Sequence, residues 1–138
     1  MPCEQRVLVT YDKKKTPQTY ELICKGECDD KTACKKKVEE KVDGKTHVTR
    51  EFCACKEGKG DEDKNRHIVL YTERKKKGGK IEQQYFKCEW DDKNKCPDKT
   101  KCAASPVGNG WFDDDPEKLK WMEFECSCVP EDEAWPED

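Results

Sequence analysis

Short runs rich in β-branched and aromatic residues alternate along this chain with polar, turn-forming stretches. Residues 6–11 and 20–24 are two such runs, and the stretch between them contains Thr16-Pro17, so the pair reads as a β-hairpin. Residues 67–72 and 81–90 repeat the arrangement around Lys77-Gly78-Gly79-Lys80. Tyr, Val, Ile and Thr concentrate in these runs because their side chains suit a pleated, half-buried surface. A third hairpin is predicted around Asp43-Gly44, a type I′ turn signal, with Val38 and Val42 on one arm and Val48 and Phe52 on the other. In that register Cys34 and Cys53 face each other at about 4.5–5.5 Å, within disulfide reach. The competing reading is a short helix over residues 35–42, with Lys35/Glu39 and Lys36/Glu40 at i,i+4 spacing and Gly44 just past its end. The hairpin is preferred.

The runs recur because the chain carries an internal repeat. Val7-Leu8-Val9-Thr10 followed by Lys13-Lys14-Lys15 matches Val69-Leu70-Tyr71-Thr72 followed by Lys75-Lys76-Lys77 at an offset of 62. Further on, Cys28-x-Asp30-Lys31-Thr32-x-Cys34 matches Cys96-x-Asp98-Lys99-Thr100-x-Cys102 at an offset of 68. Cys24, Cys28, Cys34, Cys53 and Cys55 thereby correspond in order to Cys88, Cys96, Cys102, Cys126 and Cys128. The expected fold is all-β, small and disulfide-rich, with two tandem antiparallel β modules arising from duplication. Residues 1–57 form the first repeat, 58–64 a polar glycine-bearing linker, 65–129 the second repeat with loop insertions, and 130–138 an acidic tail.

Composition explains why cysteine matters. Only 19 of the 138 residues are Leu, Ile, Val or Phe, about 14%, where a share below ~20% usually marks disorder. Charged residues make up 43% of the chain and mean hydropathy is -1.21. Eleven cysteines compensate: in the chain-entropy account each disulfide contributes about 2–4 kcal/mol, comparable to the net stability of a small domain. The same pattern of bridges is expected in both repeats. The alternative is zinc, one ion per repeat held by the repeat cysteines, in a cytosolic adaptor. Structural zinc sites favour C-x2-C knuckles, and none occurs here; His47 and His67 do not occupy equivalent repeat positions. No cofactor is therefore expected.

Cys3 is the cysteine without a counterpart, since the offset of 62 leads to Asn65. It is the candidate free or intermolecular thiol, or it takes up the odd cysteine of one repeat. Cys24 with Cys88 is a further candidate couple, between repeats. Residues 1–6 contain no apolar signal core, so a removed signal and cytosolic residence both stay open. The cysteine content favours a secreted or cell-surface location. No stretch approaches the ~20 apolar residues of a membrane span.

Catalytic patterns are missing: neither Ser105 nor Ser127 lies in a Gly-x-Ser-x-Gly context, and no phosphate-binding glycine loop occurs. The expectation is a non-enzyme. All four tryptophans lie in the second repeat or its tail. Trp90, Asp91 and Asp92 mark one insertion; Trp111, Phe112 and Asp113 mark another. Tryptophan is enriched at interface hot spots and inserted loops often carry recognition, so these six are the candidate partner-binding residues. Trp121, in strand context with Met122, Phe124 and Cys126, is expected to pack. The acids lack a calcium-loop pattern. Lysine triplets at 13–15 and 75–77 fall in predicted hairpin turns, and nucleic acid is not an expected partner. Residues 1–60 carry 14 basic and 11 acidic groups against 14 and 20 in 61–138, a polarity that permits covalent or head-to-tail self-association. A protein partner or extracellular assembly is the expected task. Alkylation without reductant, read by intact mass, should add one label or none; ten or eleven labels on metal-free protein would exclude the disulfide frame.

Overall fold

Eight strands and no helix are found among the residues that the computed structural model describes, 3–12, 18–28, 31–55, 67–89 and 96–132. They are β1 (Glu4–Thr10), β2 (Thr19–Lys25), β3 (Lys35–Asp43), β4 (Thr46–Ala54), β5 (His67–Arg74), β6 (Ile81–Glu89), β7 (Thr100–Phe112) and β8 (Asp115–Pro130). Two four-stranded antiparallel sheets result, in the orders β2-β1-β8-β7 and β3-β4-β5-β6. The all-β, disulfide-rich fold expected from the sequence is what forms. Each sheet combines one hairpin from residues 1–57 with one from residues 65–129. Strand β1 meets β8 through Val7↔Phe124, Val9↔Met122 and Thr10↔Trp121, and β4 meets β5 through Arg50↔Tyr71 and its neighbours.

Period-two alternation sends Val7 and Val9 of β1, Leu22 of β2, and Ile68 and Leu70 of β5 into the space between the sheets. Cys3, Cys28, Cys34 and Cys53 belong to the same core, so the sulfur bridges replace part of the missing aliphatic volume. Strand β5 is buried on both faces: Ile68 and Leu70 look inward, while Val69 packs outward with Phe52, Ala54 and Tyr71. That explains why Ile68, Val69 and Leu70 are consecutive apolar residues rather than alternating with polar ones.

The hairpin around residue 44 forms, with a correction to its register. Gly44 and Lys45 make the turn, Asp43 pairs with Thr46, and Lys36 rather than Cys34 faces Cys53. Gly44 has φ +62°, and glycine at the first central position is what a II′ turn requires, whereas I′ needs positive φ at both. Every opposed partner moves by two positions, so the core-facing residues do not change. Lys31 and Lys99, 68 positions apart, adopt φ of 67° and 66°, so the two Cys-x-Asp-Lys-Thr-x-Cys segments share an unusual left-handed residue.

Five disulfides join Cys3–Cys34, Cys24–Cys53, Cys28–Cys55, Cys88–Cys126 and Cys96–Cys128, with Cα separations of 5.4–5.7 Å. The second and third correspond to the fourth and fifth under the repeat. Cys24 and Cys88 are not partners. Cys3 is not a free or intermolecular thiol: it is 6% exposed and bridged to Cys34, so of the two readings it is the one in which Cys3 takes up the odd cysteine of the first repeat that forms. Buried Cys102 is the cysteine outside the five bridges. Cys24–Cys53 and Cys88–Cys126 each tie one sheet to the other. Closing loops of 27 to 38 residues, each bridge removes about 3–4 kcal/mol of unfolded-chain entropy.

The second-repeat insertion at residues 108–115 is strand and turn rather than loop. The β7–β8 hairpin is 13 and 16 residues long, with register shifts at Pro106/Gly108, Gly110/Trp111 and Trp111/Phe112. Trp121 lies across β7, its indole carbons 3.4 Å from where a Cβ on Gly108 would stand and its Nε1 2.2 Å from one on Gly110. Glycine is the residue that lets the ring settle on the strand, so Trp121 packs as expected. Gly110→Ala should lower unfolding free energy by about 1–3 kcal/mol through overpacking. The same change made on Trp121→Ala should be nearly neutral; equal costs in both backgrounds would refute the contact.

Candidate functional site

All five bridges gather at one end of the sandwich. Cys24 stands beside Gln5 near the start of β1, Cys88 beside Ile68 near the start of β5, and Cys126 and Cys128 beyond the Val7↔Phe124 pair. From the Cys88–Cys126 bridge toward the opposite end runs an open cleft of about 910 Å³, lined by residues of both sheets. Tyr11, Tyr20, Phe86, Met122 and Phe124 supply its apolar surface, with Glu73, Gln84 and Lys87 among its polar residues. Phe86 is the hub: its ring centroid is 6.0 Å from Tyr20 and 5.1 Å from Phe124. The Tyr11 hydroxyl approaches Met122 Sδ at 3.7 Å, and the Tyr20 hydroxyl donates to Gln18 Oε1 at 2.9 Å. Burial, and then the charge of Tyr11, raises the Tyr20 pKa, so its hydroxyl stays a donor throughout the neutral range. A concave surface of rings with a few hydrogen-bonding groups suits ligand or side-chain capture.

Beside this cleft the β7–β8 hairpin continues past its last contact with β1, where the Tyr11 amide donates to the Lys120 carbonyl at 3.0 Å. Trp111 on this extension is 47% exposed and Val107 39%. Phe112 is half-buried and Asp113 exposed. Trp90, Asp91 and Asp92 lie outside the described residues.

A polar cluster occupies the outer face of the second sheet. Arg50 Nη2 lies 2.9 Å from Glu89 Oε1 and its Nη1 3.5 Å from Glu39 Oε2, while its guanidinium sits 4.7 Å above the Phe52 ring. Tyr71 donates to Glu89 and stacks on Tyr85 at 5.2 Å and 11°. The Lys87 ammonium lies 5.8 and 5.5 Å from those two rings. Burial pushes the Tyr71 pKa up to about 12, reinforced by Glu89 and opposed by Arg50. At Glu89 burial acts upward, but hydrogen bonds from Arg50 and Tyr71 and the charges of Arg50 and His67 outweigh it, leaving the carboxyl below its ordinary value. Neither group titrates near neutral pH, so this network fixes charge in place rather than exchanging protons.

Metal chemistry draws little support from the sulfurs. Three trios lie within 4.8 Å, Cys3/Cys28/Cys55, Cys3/Cys34/Cys53 and Cys88/Cys102/Cys126, and each contains disulfide sulfur, which lacks the thiolate charge that binds zinc. Sequence reasoning pointed to Trp111 but missed the cleft. Its rings come from Tyr11 just past β1 and from β2, β6 and β8, and their only signal, an aromatic in or beside a strand, also marks ordinary core. No protein-family model, curated protein or solved structure matches this chain.

The outer cluster makes stability depend on acid in a defined direction. Since the folded pKa of Glu89 lies below that of the unfolded chain, its contribution is complete at neutral pH and fades as pH falls below the ordinary 4.5. Glu89→Gln should therefore lower the urea midpoint at pH 7, with the gap to the parent narrowing at about pH 3. A gap of constant size at both values would show that the charge is not responsible.

Proposed function

We propose that this chain is a non-catalytic extracellular binding module, secreted or held at the cell surface, which engages a protein partner or a further copy of itself. A small all-β fold with five disulfides is compatible with an extracellular protein and typical of an oxidising compartment. The observation that carries the binding reading is the asymmetry of the sandwich. Bridges gather at one end; the cleft of rings runs from the Cys88–Cys126 bridge toward the other, where the projecting hairpin carries exposed Trp111. Rigid scaffolds that present aromatic groups on projecting segments bind with small ordering cost. Trp111 and Phe112 are the proposed anchors, with Asp113 beside them and Phe86 at the floor of the neighbouring cleft. The zinc adaptor is not favoured, because nine of its ten proposed ligands, all but Cys102, are held in disulfides.

The oxidised protein can be panned against a random-peptide phage library. Recovered peptides should lose at least about tenfold in affinity for Trp111→Ala, as at a hot-spot aromatic, while the thermal midpoint of the variant stays that of the parent. Peptides that bind the variant equally well, or a large loss of stability, would overturn Trp111 as a contact residue.

A further inference from the structure

Ten of the eleven cysteines form the five disulfides, so the sulfur of Cys102 remains a thiol. It is not remote from the bridges. The Sγ atoms of Cys102, Cys88 and Cys126 all lie within 4.8 Å of one another, and the last two are joined to each other. The first half holds a comparable trio, Cys3, Cys34 and Cys53, also within 4.8 Å of one another, in which Cys34 is the counterpart of Cys102 and Cys53 that of Cys126. There the matching sulfur is held in a bridge to Cys3. In the second half the position corresponding to Cys3 is Asn65, and a thiol therefore stands beside a disulfide.

We propose that the trio is a thiol–disulfide exchange switch. The Cys102 thiolate attacks Cys126 Sγ, the Cys102–Cys126 bond forms, and the Cys88–Cys126 bond breaks. Cys88 departs as a thiolate and takes up one proton, matching the proton that Cys102 gave up. One sulfur–sulfur bond is exchanged for another, and neither oxidant nor reductant is consumed. Cys126 is the sulfur attacked because it shares a sheet with Cys102. Cys102 faces Cys128 and Ala104 faces Cys126 across the β7–β8 ladder, so the two remain neighbours whatever the sheets do, whereas Cys88 belongs to the opposite sheet.

The exchange converts a bridge between sheets into a bridge within one. In the starting form Cys88–Cys126 ties β6, the outermost strand of its sheet, to β8. After exchange β6 is held by its ladder to β5 and by packing. Cys88 and Phe86 line the cleft, so the switch loosens one wall of the proposed binding surface. That consequence rests on the binding reading; the exchange itself does not.

Folded protein would be held at about pH 5 or about pH 9, below and above the ordinary thiol pKa of ~8.5. It would then be acid-quenched, unfolded, labelled with N-ethylmaleimide without reductant, and mapped by peptide mass. Label should sit on Cys102 alone at the lower pH and appear increasingly on Cys88 at the higher, with Cys102–Cys126 peptides accumulating in step. Label confined to Cys102 at both values would overturn the switch. So would label on Cys126, or label spread over the first-half cysteines. Cys102→Ser, shown folded by its circular dichroism, should take no label anywhere; Cys88 labelling in that variant would remove Cys102 as the nucleophile. Failure of the Trp111 experiment would leave this map unaltered, so the two readings fail separately.

Discussion

Sulfur–sulfur bonds between the sheets do here what aliphatic side chains do in larger sandwiches. A chain with so few Leu, Ile, Val and Phe residues cannot offset its ordering entropy by burial alone. The bridges act first on the unfolded ensemble, which they restrict, and then on the folded core, where Cys3, Cys28, Cys34 and Cys53 fill space beside Val7, Val9, Ile68 and Leu70. Because they are gathered at one end, the other end is released from the demand for dense apolar packing. Tyr, Gln, Glu and Lys can then line the gap between the sheets.

The outer surfaces obey a second constraint. Strand β5 needs cover on both faces, and the face away from the core is sealed by Phe52, Ala54 and Tyr71, with Arg50 and Glu89 locking the tyrosine in place. Edges are treated differently from one another. Lys35, Lys36, Lys37 and Lys41 lie along β3, Pro106 and three register shifts interrupt β7, and β2 is only seven residues long. Charge, proline, irregular register and shortness are the usual means of discouraging edge-to-edge aggregation.

The elements were more legible than their assembly. Tyr-, Val- and Ile-rich runs announced β1, β2, β5 and β6, because local composition and strand preference agree there. Gly44 announced a hairpin, but the choice between Asp43-Gly44 and Gly44-Lys45 depends on backbone angles at two residues, and adjacent letters do not separate them. The repeat correctly implied equivalent bridges in the two halves. It did not reveal that Cys3 reaches Cys34, since that contact depends on how β1 and β3 lie in different sheets. Gly108 and Gly110 suggested a loop; they are strand positions shaped by Trp121, a residue eleven or more places away. The cleft was invisible for the same reason, its rings meeting only once two hairpins from each half have been sorted into sheets.

Every disulfide closes within residues 3–55 or within residues 88–128. No covalent bond other than the backbone connects the two halves, although β1–β8 and β4–β5 weave them into the same sheets. One backbone cut between residues 56 and 66 would turn the molecule into a two-chain complex held by two ladders and their packing. Those ladders do not distinguish a half of the same chain from a half of another. The same strand pairings that join the two halves of one chain would serve equally to join separately supplied halves.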